Sequence, residues 1–224
     1  MNKIARVAGV LFLVSTGTYM IGNGLLDHVL NRPDFLTNLY PDRTNVFWGS
    51  LLELINAMAV VGIAMLLYPI LKKHNEAFAL GYFGSRILES ALLIISAIVP
   101  LVLITLSKDY IPLGASKGSS FETIGNLLLE ANSVLFQMAM IVLSLGSLLL
   151  CNVLYRSRLV PRFLSVIGFI GYAALLTSGC LSIFGKDIGP ILYVPGAIFE
   201  IVFPVWIIVK GFNLRAFQEE RFEY

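Results

Sequence analysis

The sequence predicts an all-α integral membrane protein, folded as one bundle of six transmembrane helices over residues 1–224. Hydrophobic residues make up 57% of the chain, whereas charged residues make up only 13%. A soluble domain carries about 25% charged residues, so most of this chain is suited to a solvent other than water. The apolar residues also lie in long runs, and roughly 20 apolar residues are enough for a helix to cross a bilayer.

These apolar runs define the predicted helices in chain order. Backbone polar groups in a bilayer must be hydrogen-bonded within the protein, and the runs lack the alternation of barrel strands, so each run is predicted to be a helix. The third and fourth runs are longer than a crossing requires, which indicates tilted or projecting helices. The predicted spans are residues 4–26, 46–71, 77–106, 123–155, 161–184 and 191–209.

Basic residues alternate between successive connections, and this alternation predicts the orientation of the helices. One set of termini and connections holds 10 Lys and Arg residues, the other holds 5, and Arg86 lies inside a span. Basic residues accumulate on the cytoplasmic side of a membrane, so both termini are predicted to be cytoplasmic. The first set is Lys3, Arg6, Lys72, Lys73, Arg156, Arg158, Arg162, Lys210, Arg215 and Arg221, and the second is Arg32, Arg43, Lys108, Lys117 and Lys186.

Polar and ionisable residues within the spans are the candidate functional residues. A charged side chain costs roughly 3 kcal/mol to insert into a bilayer, so these groups are expected to face the interior of the bundle. Their spacing places them on polar faces of four helices. These faces predict a polar cavity that opens toward the outer half of the membrane. The candidate ligand- or ion-binding residues are Glu53, Asn56, Arg86, Glu89, Glu130, Gln137 and Glu200.

The charges of this interior do not balance. Four carboxylates accompany one guanidinium, which leaves three negative charges without a partner if all are ionised. Arg86 is expected to pair with Glu89, three residues along the same helix, or with Glu200 on the last helix. The other carboxylates require protonation, a bound cation or access to water. We expect at least one of them to be protonated at neutral pH.

Three functions are compatible with such an interior. The leading interpretation is a protein that binds and transports a small ligand or cation. The second is an intramembrane enzyme that acts on a lipid-like substrate, with two carboxylates as acid and base. The third is a non-catalytic scaffold or regulator, in which the polar groups only link helices.

An enzyme is the less favoured of these interpretations. The sequence contains no glycine-rich phosphate loop, nucleophile elbow or zinc-protease motif, and it identifies no catalytic residue. No cofactor is predicted, apart from an oxygen-ligated cation at the carboxylates. Membrane lipids and a small ligand are the expected partners. The dispersed net charge of +2 does not indicate nucleic acid, and the oligomeric state stays open.

Several segments resemble a catalogued family of bacterial membrane proteins, domain of unknown function 4386. The segments are LYRSRLVPRFLSVIG at 154–168, LLELINAMAVVG at 51–62, YPILKK at 68–73, GYFGSRILESA at 81–91 and FEIVFPVWIIVKGF at 199–212. The resemblance covers essentially the whole chain and implies a multipass protein of the bacterial plasma membrane. It implies no activity, so no role transfers to the candidate residues within the matching segments.

Overall fold

The computed structural model of the chain describes residues 2–114, 120–186 and 189–213. Within these ranges the chain consists of helices and their connections. The α-helices are α1 (Asn2–Leu30), α2 (Phe35–Asn38), α3 (Arg43–Leu71), α4 (Glu76–Tyr110), α5 (Ser120–Ser157), α6 (Arg162–Ile183) and α7 (Val194–Val209). Short 3-10 helices at Ile111–Leu113 and Pro190–Tyr193 follow α4 and precede α7.

Six of these helices are long and apolar enough to cross a membrane, which confirms the predicted helical bundle. The short helix α2 was not predicted, and it lies in the connection between the first two spans. The third and fourth spans are longer than predicted, because α4 has 35 residues and α5 has 38. At 1.5 Å per residue, α5 is about 57 Å long and exceeds a hydrocarbon core of about 30 Å.

The six long helices form a closed ring. Each packs against the next long helix along the chain, and α7 returns to pack against α1. At one end, which we term the terminal end, Gly211 contacts Asn2. The N–H of Asn213 also donates to the carbonyl of Leu159 there, at 2.9 Å. The opposite end, the loop end, holds α2 and both 3-10 helices.

The orientation of this ring in the membrane stays a prediction. It rests on the count of basic residues at the two ends. Three of the counted residues, Lys117, Arg215 and Arg221, lie outside the described residues.

Glycine brings α7 close to both of its neighbours in the ring. A Cβ atom at Gly171 of α6 would lie 2.7 Å from the backbone of Gly196 on α7. A Cβ atom at Gly9 of α1 would lie 2.8 Å from the carbonyl oxygen of Pro204 on α7. Small residues let helix backbones approach closely within a membrane. Helix α7 therefore crosses both α6 and α1 so closely that neither glycine position leaves room for a side chain.

The turn between α3 and α4 shows how the sequence ends one helix and begins the next. The side chain of Asn75 accepts a hydrogen bond from the N–H of Phe78 at 2.9 Å and so caps α4. Glu76, in the first turn of α4, pairs with Lys72 at 2.8 Å. The hydrogen bond to Glu76 raises the pKa of Lys72. Both side chains are exposed, so the pair adds little to the stability of the fold.

An apolar core fills the terminal half of the ring. The rings of Phe199 and Phe203 are stacked with centroids 5.1 Å apart, and Tyr172 meets Phe199 edge-on at 5.6 Å. These side chains, together with Tyr82 of α4, are fully buried. Aromatic pairs of this kind add to the stabilisation gained from close contact. These buried aromatic side chains therefore fill much of the interior in the terminal half of the ring.

A second core lies at the loop end and incorporates α2. Leu36 of α2 is buried there with Val46 of α3 and Leu103 of α4. The hydroxyl of Ser107 on α4 donates to the carbonyl of Leu36 and accepts from the N–H of Tyr40 at 2.9 Å. The polar residues of the interior lie between the two cores.

Candidate functional site

Two adjacent cavities lie between the cores. The inner cavity has a volume of about 80 Å³, enough for a few water molecules. The outer cavity has a volume of about 340 Å³ and extends to the loop end of α1. Tyr19 of α1 and Leu93 of α4 line both cavities, so the two spaces are neighbours. The polar residues of the inner cavity include Ser15, Thr16, Asn56, Arg86, Glu89 and Glu200.

An ion pair within α4 forms one wall of the inner cavity. Nη1 of Arg86 donates to both carboxylate oxygens of Glu89, at 3.1 and 2.9 Å. Nη2 of Arg86 donates to the hydroxyl of Ser147 on α5 at 3.2 Å. The two charged side chains are only 4% and 3% exposed. Isolated charges are costly at such a depth, so each partner is held in place chiefly by the other.

Glu200 brings a second carboxylate to the same cavity from α7. Its Oε1 accepts a hydrogen bond from the hydroxyl of Tyr172 at 3.3 Å. Among the described residues, Arg86 is the cation that lines this cavity. The cavity therefore carries one excess negative charge when both carboxylates are ionised. The Nε atom of Arg86 is buried and has no hydrogen-bond partner in the described part of the chain, so the guanidinium retains a free donor.

The polar face of α3 connects the two cavities. Asn56 lines the inner cavity and accepts a hydrogen bond from the hydroxyl of Ser15 on α1 at 2.6 Å. Glu53, one helical turn earlier, lines the outer cavity. Residues three apart share one face of a helix, and here that face spans both cavities.

The outer cavity is acidic and otherwise uncharged. Glu53, which is 8% exposed, and Asp27 at the loop end of α1 supply its carboxylates. Asn23 donates to Asp27 at 2.8 Å, and the hydroxyl of Ser96 on α4 donates to the side-chain oxygen of Asn132 on α5. None of the described residues that line this cavity is basic. Its walls thus combine two carboxyl groups with several neutral oxygen and nitrogen groups.

Two stacked aromatic rings cross the centre of the bundle beside the outer cavity. The rings of Tyr19 on α1 and Phe136 on α5 are parallel, with centroids 6.0 Å apart. Both rings line the outer cavity, and Tyr19 also lines the inner one. Together with Leu93, Tyr19 forms the partition between the two spaces. These two side chains therefore separate the inner cavity from the outer one.

The family model for Domain of unknown function (DUF4386) matches residues 7–211. The chain belongs to the DUF4386 family. No curated protein and no solved structure matches the chain. The match includes every helix that lines the two cavities. The resemblance found in the sequence is thereby confirmed.

The structure of this DUF4386 protein brings five of the seven candidate residues to the cavities. Glu53 lines the outer cavity, whereas four candidates line the inner one: Asn56, Arg86, Glu89 and Glu200. Gln137 is half-buried and accepts a hydrogen bond from the hydroxyl of Tyr193 at 3.2 Å. Gln137 thus links α5 to the segment before α7 and does not line either cavity.

The structure contradicts the expectation that Glu130 faces the interior. Glu130 is exposed and lines neither cavity. The physical reason lies in the length of α5, which exceeds a membrane crossing by roughly 27 Å. Glu130 lies only ten residues after Ser120, where α5 begins. Because α5 is longer than a crossing requires, a carboxylate near its beginning does not have to lie in the hydrocarbon core, and outside the core it needs no interior partner.

The residues of the site that were not predicted from the sequence include Tyr19 and Asp27, which line the cavities, and Tyr172, which bonds to Glu200 beside the inner one. Tyr19 and Tyr172 are aromatic residues on apolar helices, where nothing in the sequence distinguishes a cavity wall from an ordinary core position. Asp27 falls just beyond the predicted end of the first span, because α1 continues to Leu30. Asn23, inside the predicted span, donates to Asp27, so the extension of α1 lengthens a polar face that the shorter predicted span cuts off.

Proposed function

We propose that this DUF4386 protein binds a small cation in the outer cavity and passes it through the inner cavity across a bacterial plasma membrane. On the predicted orientation, with both termini in the cytoplasm, the outer cavity opens to the outside. The observation that carries the proposal is the shared wall of the cavities. Because Tyr19 and Leu93 line both, polar groups continue from the loop end to Arg86, Glu89 and Glu200.

The charge of the outer cavity supports a cation as its ligand. Glu53 and Asp27 attract positive charge, and no basic residue among the described lining neutralises them. The side chains of Asn23, Ser96 and Asn132 supply neutral groups that can replace part of a hydration shell. The volume of about 340 Å³ lies within the range of small-molecule sites, so the cavity suits a protonated amine as well as a hydrated metal ion.

The inner cavity supports a role in transfer. Its excess of one negative charge equals the charge of one monovalent cation or one proton. Glu200 and Glu89 both line the cavity with Arg86, so the guanidinium has two carboxylates to pair with. A cation beside Glu89 would compete with Arg86 and favour its pairing with Glu200. Exchange of partners would couple occupancy to the pairing between the side chain of Arg86 on α4 and that of Glu200 on α7.

The other interpretations receive less support. A lipid-like substrate would need a lateral opening, whereas each long helix packs against two neighbours around the ring. A scaffold would not require an open cavity of about 340 Å³.

The proposal is tested by measuring ligand-dependent thermal stability of the purified protein in detergent. The panel consists of Na⁺, K⁺, tetramethylammonium and a primary amine at constant ionic strength. A ligand at about 100 times its Kd stabilises the folded state by about 2.7 kcal/mol. We expect at least one cation to raise the melting temperature with a saturable dose response, and the Glu53→Gln variant to lose that response.

The matched control is Glu130→Gln, which makes the same chemical change at an exposed carboxylate outside both cavities. This variant should respond like the wild type. A flat response to the whole panel would refute cation binding. Equal loss in Glu53→Gln and Glu130→Gln would refute the assignment to the outer cavity. Uptake of the stabilising cation into proteoliposomes then separates transport from binding alone.

A further inference from the structure

A basic pocket lies at the terminal end of the ring, on the opposite side from the outer cavity. It has a volume of about 390 Å³ and lies between the α5–α6 connection and the end of α7. We term it the basic pocket because three of its lining side chains are cationic: Arg158, Arg162 and Lys210. No acidic residue occurs among the described residues that line it. The pocket therefore favours an anion.

The helix that begins beside the basic pocket adds to this preference. Pro161 precedes α6 and makes no side-chain cap, and the first turn of α6 contains no acidic residue. The uncapped N–H groups and the positive end of the helix dipole favour a negatively charged ligand. The guanidinium of Arg162 is fixed over the ring of Tyr155, 5.2 Å from its centroid. Phosphate is the anion that such a combination of Arg side chains and helix N–H groups binds well.

The backbone around the basic pocket is folded in an unusual way. Arg158 has a φ of 53° and is the single described residue other than glycine with a positive φ. This left-handed turn costs roughly 1 kcal/mol or more for a residue with a side chain. The turn brings Leu159 to the end of α7, where the N–H of Asn213 binds its carbonyl at 2.9 Å. Two separate parts of the chain are thus held together as the walls of the pocket.

The surroundings of the basic pocket identify the source of the anion. Trp206 lines the pocket and meets Phe163 edge-on, with ring centroids 6.2 Å apart. Phe163 is 56% exposed and Val209 is 63% exposed, so the lipid-facing surfaces of α6 and α7 begin at the rim. Tryptophan beside basic residues is typical of the membrane–water interface. A ligand in this position has its charge in the pocket and apolar chains along the helices.

We propose that the basic pocket binds the phosphate headgroup of an anionic membrane phospholipid, with the acyl chains lying along the exposed apolar faces of α6 and α7. Arg158, Arg162 and Lys210 supply the opposing charge, and Trp206 supports the glycerol region. This site is independent of the cavities in the centre of the ring. On the predicted orientation it faces the cytoplasmic leaflet, where anionic lipids and basic residues meet.

The test uses the full-length protein and counts bound lipids by native mass spectrometry after addition of phosphatidylglycerol or phosphatidylcholine. The pocket variant is Arg158→Gln/Arg162→Gln/Lys210→Gln. The control variant, Lys3→Gln/Arg6→Gln/Arg156→Gln, removes the same charges from exposed residues that do not line the pocket. We expect the wild type and the control to bind phosphatidylglycerol in preference to phosphatidylcholine. The pocket variant should bind it roughly 100-fold more weakly.

Each of the other outcomes overturns the proposal. Equal losses in the pocket and control variants would mean that the terminal end attracts anionic lipid only through its overall charge. Equal binding of the two lipids by the wild type would exclude recognition of an anionic headgroup. If glycerol 3-phosphate or inorganic phosphate displaced the lipid at millimolar concentration, the ligand would be a soluble phosphate and not a phospholipid.

Discussion

The buried pair of Arg86 and Glu89 leads to an asymmetric prediction about stability. The two side chains are 4% and 3% exposed, and one guanidinium nitrogen donates to both carboxylate oxygens. Arg86→Gln leaves two carboxylates in the inner cavity without a cation among the described residues. Glu89→Gln leaves Arg86 with Glu200, and the two charges cancel. We therefore expect Arg86→Gln to be the more damaging change, although each variant removes one member of the same pair.

The magnitude follows from the cost of a stranded buried charge. Removing one partner of a buried ion pair typically costs about 3–5 kcal/mol. For a chain of this size, each kcal/mol lost from the free energy of unfolding lowers the melting temperature by about 2–4 °C. Arg86→Gln should therefore lower the melting temperature by roughly 6–20 °C. Glu89→Gln should lower it by less than half as much, because the remaining carboxylate of Glu200 lines the same cavity.

The assay is thermal unfolding in a single detergent at pH 7, followed by the intrinsic fluorescence of the two tryptophans. The pH dependence provides an internal check, because protonation removes the unpaired charges in Arg86→Gln. The difference between Arg86→Gln and the wild type should therefore shrink as the pH falls. Equal destabilisation by the two single variants, or a change of less than about 2 °C in Arg86→Gln, would refute this account of the inner cavity.

Two further predictions concern the ring and the partition between the cavities. Gly171→Ala should destabilise the protein by about 1–3 kcal/mol in thermal unfolding, because its Cβ would meet the backbone of Gly196. Gly84→Ala is the control, since a Cβ at Gly84 meets nothing within 4 Å, and it should be neutral or slightly stabilising; equal effects would refute the close crossing. Tyr19→Ala should speed uptake of the transported cation by up to about tenfold, because the aromatic stack that it removes is worth about 0.5–1.5 kcal/mol. Unchanged uptake into proteoliposomes would mean that Tyr19 does not limit passage between the cavities.

The sequence predicts the helices well because hydrophobicity within a membrane leaves few alternatives. Long apolar runs must be helical, and Arg86 and Glu89, three residues apart, must share a face of their helix. Both features depend only on local spacing. The structure accordingly contains the six long helices and the Arg86–Glu89 pair.

Features that depend on contacts between distant helices could not be read from the sequence. Helix α7 packs against α1 through the approach of Gly9 to Pro204. The sequences of two apolar helices do not indicate which other helix each of them packs against. The exposure of Glu130 depends on how far α5 projects, which the hydrophobic pattern leaves open. Tyr19 could not be distinguished from any other buried aromatic residue, because its role arises from two cavities on either side of it.

The length of α7 sets a limit on the bilayer that this protein can occupy. With 16 residues, α7 is about 24 Å long, shorter than a hydrocarbon core of about 30 Å. The preceding 3-10 helix, four residues at about 2 Å each, supplies the missing length. Helix α6, with 22 residues, is about 33 Å long, whereas the other long helices exceed 40 Å. A thicker membrane would therefore place its mismatch on α6 and α7. Because α7 carries Glu200, a change in bilayer thickness would act on the charged centre of the protein.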